Sequence, residues 1–155
     1  MIKPLLAAII LTFAGLACQT PQEQQPTLQG AWEPERYLLK DGSEHPVTGL
    51  IFFAEHDWSV LFFVTNENAT PLRGSGEGGT YTVHGDTLIF THRYHLSGGH
   101  AAGSLPESPL RFEIREAAEA PRETCIIDLR EDSLKVFFPS GNAMTFHRRR
   151  SGSTR

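Results

Sequence analysis

Three of the chain's seven histidines fall close together in the run Thr91-His92-Arg93-Tyr94-His95-Leu96-Ser97-Gly98-Gly99-His100. Neighbouring imidazoles invite a metal or haem site, but the spacing argues against one. Residues three apart on a regular strand face opposite sides of the sheet, so His92 and His95 do not chelate together. The His-x3-His step of a helical metal site is absent as well. The spacing therefore predicts His92 and Tyr94 as polar groups on an inner wall and His95 as solvated, with no metal and no cofactor. Nucleophilic catalysis has less to stand on. A Ser-His-Asp set is recognised by geometry, and no Gly-x-Ser-x-Gly elbow occurs. The enzymatic alternative that survives is an acid and base pair made of His92 and Tyr94. Arg73-Gly74-Ser75-Gly76-Glu77-Gly78-Gly79 is rich in glycine, but a phosphate-cradling loop leads from a strand into a helix. Here a strand follows, so the stretch reads as a flexible loop. Cys125 precedes Ile126 and Ile127 and reads as a buried, inert thiol.

The elements that must position these groups are strands. Leu110-Arg111-Phe112-Glu113-Ile114-Arg115 alternates apolar and charged residues for six positions, which buries one face and wets the other. Leu134, Val136 and Phe138 share a face, as do Met144, Phe146 and Arg148. Leu88, Phe90, His92 and Tyr94 fall together opposite Ile89, Thr91, Arg93 and His95. Near-continuous apolar runs at 50–54 and 58–65 are broken by Glu55-His56-Asp57, a hairpin signal. Another hairpin is marked at His84-Gly85-Asp86, where Gly85 supplies the positive φ of a tight turn. The pattern predicts strands near 31–40, 48–54, 57–64, 79–84, 87–96, 109–117, 122–130, 133–139 and 142–149. The longest structureless insertion is Ser97 to Pro109, read as a lid, a contact surface or a disordered hairpin tip. The best helical candidate, Glu116 to Glu119, is stopped by Pro121.

A chain of 155 residues with 39% hydrophobic content is one domain with one core. Net charge is -4, which argues against a nucleic-acid binder, since such a protein normally needs a basic face. The fold class is all-β: an antiparallel up-and-down β-barrel of about eight strands, with a two-sheet β-sandwich as the alternative. Residues 1–17 read as a secretory signal peptide. Met1-Ile2-Lys3 is the positive start, and the apolar run from Leu5 to Ala17 is too short to span a bilayer. Residues 18–29 hold Cys18 and a polar, Pro-bearing tether. Residues 30–149 form the barrel domain, and 150–155 are a basic tail suited to an anionic surface.

Two resemblances add to this reading. Ala14-Gly15-Leu16-Ala17-Cys18 resembles a bacterial lipobox. That resemblance implies a diacylglycerol on the Cys18 thiol, with palmitate as acyl class, and a membrane anchor through that lipid. Gln19 after the Cys implies the outer membrane of a Gram-negative cell. Gly30-Ala31-Trp32 at the first strand and Phe146-His147-Arg148 at the last resemble the lipocalins and the wider calycin group. The hairpin Gly79-Thr80-Tyr81-Thr82-Val83-His84-Gly85-Asp86-Thr87-Leu88 resembles that of small bacterial lipocalin-like domains. The likeness spans residues 28 to 149, lacks the Thr-Asp-Tyr motif and shows no C-terminal helix. It implies that Trp32 packs across the barrel floor with Arg148 stacked on its indole, an arrangement that cation–π attraction favours.

The expectation is an envelope lipoprotein whose barrel binds a small apolar or amphipathic ligand. The inward faces supply Phe52, Trp58, Val60, Phe62, Tyr81, Phe90, His92, Tyr94, Phe112 and Phe138 as lining candidates. The alternative is a packed barrel without a cavity, acting as a protein-interaction or structural module.

Overall fold

A computed structural model describes residues 27–150. Residues 1–26, with the signal segment, Cys18 and most of the tether, and residues 151–155 lie outside the described residues. Nine strands follow one another: β1 (Gly30–Leu38), β2 (Glu44–Ala54), β3 (Asp57–Thr65), β4 (Pro71–His84), β5 (Thr87–Gly99), β6 (Ser108–Ile114), β7 (Arg122–Leu129), β8 (Ser133–Phe137) and β9 (Ala143–Arg148). Eight of them close a ring in the order β1-β2-β3-β4-β5-β7-β8-β9, and β9 pairs back onto β1. All pairings are antiparallel. A sandwich would leave two separate sheets, so the continuous hydrogen-bonded ring overturns that alternative.

The ninth strand, β6, stands outside the ring. The lower half of β5 pairs with β7, from Thr87 to Thr91, and its upper half pairs with β6, from Tyr94 to Gly99. The chain between them, from Arg115 to Pro121, turns without forming a helix, closed by a hydrogen bond from the Glu119 N–H to the Glu116 carbonyl at 3.0 Å.

Two segments differ from the sequence expectation. The glycine-rich stretch 73–79 is not a loop but the first half of β4. Gly74, Gly76 and Gly78 face outward beneath Phe63, Leu61 and Ser59 of β3, so this strand carries no hydrophobic alternation to read. The insertion 97–109 shrinks at both ends, because Ser97–Gly99 extend β5 and Ser108 opens β6. The loop between them is packed. Ala102 is buried against Val47 and Val64 beside Tyr37 and Phe62, and the Arg73 guanidinium donates to the Pro106 carbonyl at 3.0 Å. It therefore covers part of the upper end of the barrel.

The lower lumen is filled. Trp32, Phe53, Tyr81, Leu88, Cys125, Ile127, Leu134 and Phe146 pack into one cluster. Burial pushes the Cys125 thiol up to about 12, with the Glu123 charge adding to the shift. At the floor Trp32 is fully buried and its Nε1–H donates to the Leu28 carbonyl at 2.8 Å. The Arg148 guanidinium lies 4.1 Å from the centre of that indole. It also donates to the carbonyls of Glu131 and Gln29 at 2.8 Å and of Thr27 at 2.5 Å. One side chain thus ties the entry of β1, the β7–β8 turn and the floor indole together.

Candidate functional site

Above this packed layer the lumen opens into a cavity of about 180 Å³. Its apolar wall includes Tyr37, Ile51, Trp58, Val60, Phe62, Phe90, Phe138 and Phe146. Alternation places them: on β3, Trp58, Val60 and Phe62 point in while Ser59, Leu61 and Phe63 point out. The Trp58 and Phe90 ring centres are 4.3 Å apart. Tyr37 approaches Phe62 edge-on at 6.2 Å and accepts a hydrogen bond from Asn142 Nδ2 at 2.9 Å.

Three ionisable side chains interrupt the apolar wall: Glu77 on β4, His92 on β5 and Glu123 on β7. His92 Nδ1 donates to Glu77 Oε2 at 2.5 Å, and its Nε2 lies 3.5 Å from Glu123 Oε2. Glu77 Oε1 accepts from Ser75 Oγ at 2.9 Å and faces His95 Nδ1 at 3.5 Å. His95 in turn meets Ser97 Oγ at 2.8 Å. The His92 and Glu77 side chains are only 14% and 19% exposed, so this electrostatics is not screened away. Burial works against charge on His92, but the two carboxylates outweigh it and raise its pKa to about 9. Burial likewise works against the Glu77 carboxylate, and the hydrogen bond and charge of His92 overcome it, holding Glu77 below its ordinary value. At neutral pH the wall therefore presents carboxylate, imidazolium, carboxylate, with a net charge of one negative.

The strand-parity expectation for His92 and His95 is overturned. The register between β4 and β5 shifts at Gly78 and Gly79, and Arg93 is the extra residue of a β-bulge. The bulge rephases β5, so His95 opposite Glu77 and His92 opposite Gly79 turn to the same side. Gly79 makes this approach feasible, because a Cβ there would lie 1.9 Å from the Thr91 carbonyl oxygen. His95 is not solvated but half-buried beside Glu77. The same shift turns Tyr94 outward, opposite Gly78, where it is 50% exposed. His92 and Tyr94 therefore lie on opposite faces of the sheet, which removes them as an acid and base pair. Among the described residues no group of three or more His, Cys, Asp or Glu side chains is arranged to hold a metal ion.

Of the lining candidates, Trp58, Val60, Phe62, Phe90, His92 and Phe138 lie on the cavity wall. Tyr81 lies deeper, in the packed layer, 5.0 Å from Phe53 between ring centres. Phe52, Tyr94 and Phe112 are on the outside. Phe52 is the outward neighbour of inward Ile51 and Phe53, and Phe112 sits on β6, beyond the ring. Sequence reasoning missed Glu77 and Glu123, and signals for both were present. Counting back by twos from Tyr81 through Gly79 reaches Glu77, and counting back from buried Cys125 reaches Glu123.

A second concavity of about 700 Å³ lies open on the barrel exterior, where Tyr94, Leu96, Phe112 and Ile114 stand beside Gly76 and Gly78.

No family model matches the chain, and no curated protein matches it. Among solved structures, a lipocalin-like protein from Bacteroides uniformis superposes with a TM-score of 0.47 at 16% identity, covering 79% of this chain and 98% of that chain.

Proposed function

We propose that this chain is a lipid-anchored envelope protein whose barrel binds one small apolar or amphipathic molecule in the upper lumen. The observation that carries the reading is the 180 Å³ cavity, walled by aromatic side chains and lined on one side by Glu77, His92 and Glu123. Apolar walls with a few convergent polar groups are the ordinary make-up of a small-molecule site. The volume sets the ligand's size. An apolar cavity of about 150 Å³ takes up benzene, so this lumen suits a body of about one ring and is too short for a long acyl chain.

Binding is tested by native mass spectrometry of the protein purified from its own host, with an environment-sensitive apolar dye as a second probe. One ligand or one dye per chain is expected. A bare mass together with no dye uptake by folded protein overturns the reading. A second reading, a protein-interaction module, is favoured by a different observation: Leu61, Leu110, Phe112 and Ile114 are each at least half exposed on the outer face of β3 and β6.

The anchor rests on the sequence at Cys18, and the outer membrane on Gln19 after it. A Cys18→Ser precursor is expected to lose metabolic labelling by a fatty acid and to move to the soluble envelope fraction. Equal labelling of both forms removes the lipoprotein claim.

A further inference from the structure

We propose that the lumen is built for a small organic ammonium ion: a protonated amine on a flat apolar body, held between the aromatic wall and the Glu77 and Glu123 carboxylates. The proposal rests on the reading above, that the lumen is a binding site, and adds the chemical class of the occupant. Two features of the cavity carry it together. The first is charge. The ionisable groups on the wall are Glu77, His92 and Glu123, and neither lysine nor arginine is among its lining residues. His92 offsets one of the two carboxylates at most, so the wall stays negative whichever way the imidazole titrates. The other charged or titratable groups around the cluster do not reverse this sign. His95 lies against the Glu77 carboxylate, the Arg115 guanidinium meets the His92 carbonyl at 3.3 Å and pairs with Glu113, and Arg73 is bound to the Pro106 carbonyl. An anionic ligand would place its charge beside two carboxylates, and the inward guanidinium nearest the wall, Arg73, is not among the lining residues and is held by the Pro106 carbonyl.

The second feature is the aromatic wall. Tyr37, Trp58, Phe62, Phe90 and Phe138 surround the space, and ring faces beside carboxylates are what recognises an organic cation in a desolvated site. Trp58 also meets the His92 ring edge-on, with ring centres 5.2 Å apart. It is 5% exposed, and its buried indole Nε1–H has no acceptor among the described residues. A buried donor without a partner is costly.

Glu123 is the carboxylate open to a ligand, since Glu77 is engaged by His92, Ser75 and His95 while Glu123 meets His92 only at 3.5 Å. The test is calorimetric titration of the full-length protein at neutral pH with three probes of one shape: phenethylammonium, 2-phenylethanol and phenylacetate. The expected order is ammonium tightest, alcohol weaker by about tenfold, and phenylacetate undetected. Glu123→Gln is expected to bring ammonium down to the level of the alcohol while leaving the alcohol itself unchanged. His92→Gln, which removes the competing cation, is expected to tighten ammonium binding. The order in the wild type decides the question even where a variant fails to fold. Equal binding of ammonium and alcohol, or preference for phenylacetate, overturns the ammonium proposal and leaves a ligand-binding lumen. No binding of any of the three overturns both.

Discussion

His92 shows how a single side chain depends on backbone detail that a sequence conceals. Its presence on the inner wall was legible from alternation with Phe90 and Leu88. Its carboxylate partners were marked only by strand parity, Glu77 counted back from Tyr81 through a run of glycines and Glu123 from Cys125, and His95 reaches Glu77 only through the bulge at Arg93. The pairing makes stability depend on pH in a direction that can be derived. His92 has its folded pKa raised from 6.5 to about 9, so its contribution is complete below 6.5 and is lost as pH rises through about 9. Glu77 is shifted downward, so its contribution is present above its ordinary range and is lost as pH falls through the folded value. Stability from the cluster is thus greatest just below pH 6.5. Between there and pH 9 it should fall on the order of 2–3 kcal/mol. Urea unfolding at intervals from pH 6 to 8.5 measures this slope. The range stops short of pH 9, above which ionisation of the unfolded Cys125 thiol adds a loss of its own. His92→Gln should flatten the slope. An unchanged slope in that variant would assign the pH dependence to other groups.

At the level of strands, the legible elements were those with one wet and one dry face. β5, β8 and β9 carry that alternation, β3 was read instead from its near-continuous apolar run, and the expected bounds of all four differ from the structure by a few residues. β4 escaped over its first half because hydrophobicity is the wrong signal there: its outward positions are glycine and its inward ones are Arg73, Ser75 and Glu77. β6 was expected as a strand from its alternation, but that pattern does not reveal that the strand leaves the ring. Its apolar residues Leu110, Phe112 and Ile114 are 64%, 72% and 83% exposed, so the dry face expected of it is not buried. The bulge in β5 is the element on which the site turns, and Gly79 is its weak point. A Cβ at that position would overlap the Thr91 carbonyl oxygen at 1.9 Å, and backbone atoms do not yield as side chains do. Gly79→Ala should cost about 3 kcal/mol or more. A strand that repairs the clash by losing the bulge would swing His92 away from Glu77. Denaturant unfolding of Gly79→Ala therefore has two readouts, a lower midpoint and a flattened slope between pH 6.5 and 8.5. A variant as stable as wild type, with the slope intact, would show that the close approach is not required.

Across the whole molecule the barrel divides its lumen by height, packed below and open above, and the floor is where the ring is fastened. The sequence resemblance singled out Trp32 and Arg148, but the cation–π pair is only part of what the structure places there. Arg148 also donates to three carbonyls, those of Thr27 and Gln29 before β1 and that of the distant Glu131. Its side chain thus joins the segment before β1 to the β7–β8 turn, beside the β1–β9 seam that closes the ring. Trp32→Ala removes a fully buried indole together with its hydrogen bond to Leu28, and should cost about 3–5 kcal/mol. Arg148→Ala should cost about 2 kcal/mol, the guanidinium contributing both its stacking and its charge-assisted hydrogen bonds. In the double variant the losses should fall short of their sum by about 1 kcal/mol, because each substitution already removes the contact between them. Arg148→Lys separates the parts: a point charge retains some cation–π attraction but cannot hold three carbonyls in the fork of a guanidinium. It should therefore lose most of what alanine loses, while its coupling to Trp32 persists. Urea unfolding of the four members of the cycle, with the lysine variant beside them, measures each term. Additive losses, or a lysine variant as stable as wild type, would show that the seam closes without this side chain and that strand pairing between β1 and β9 suffices.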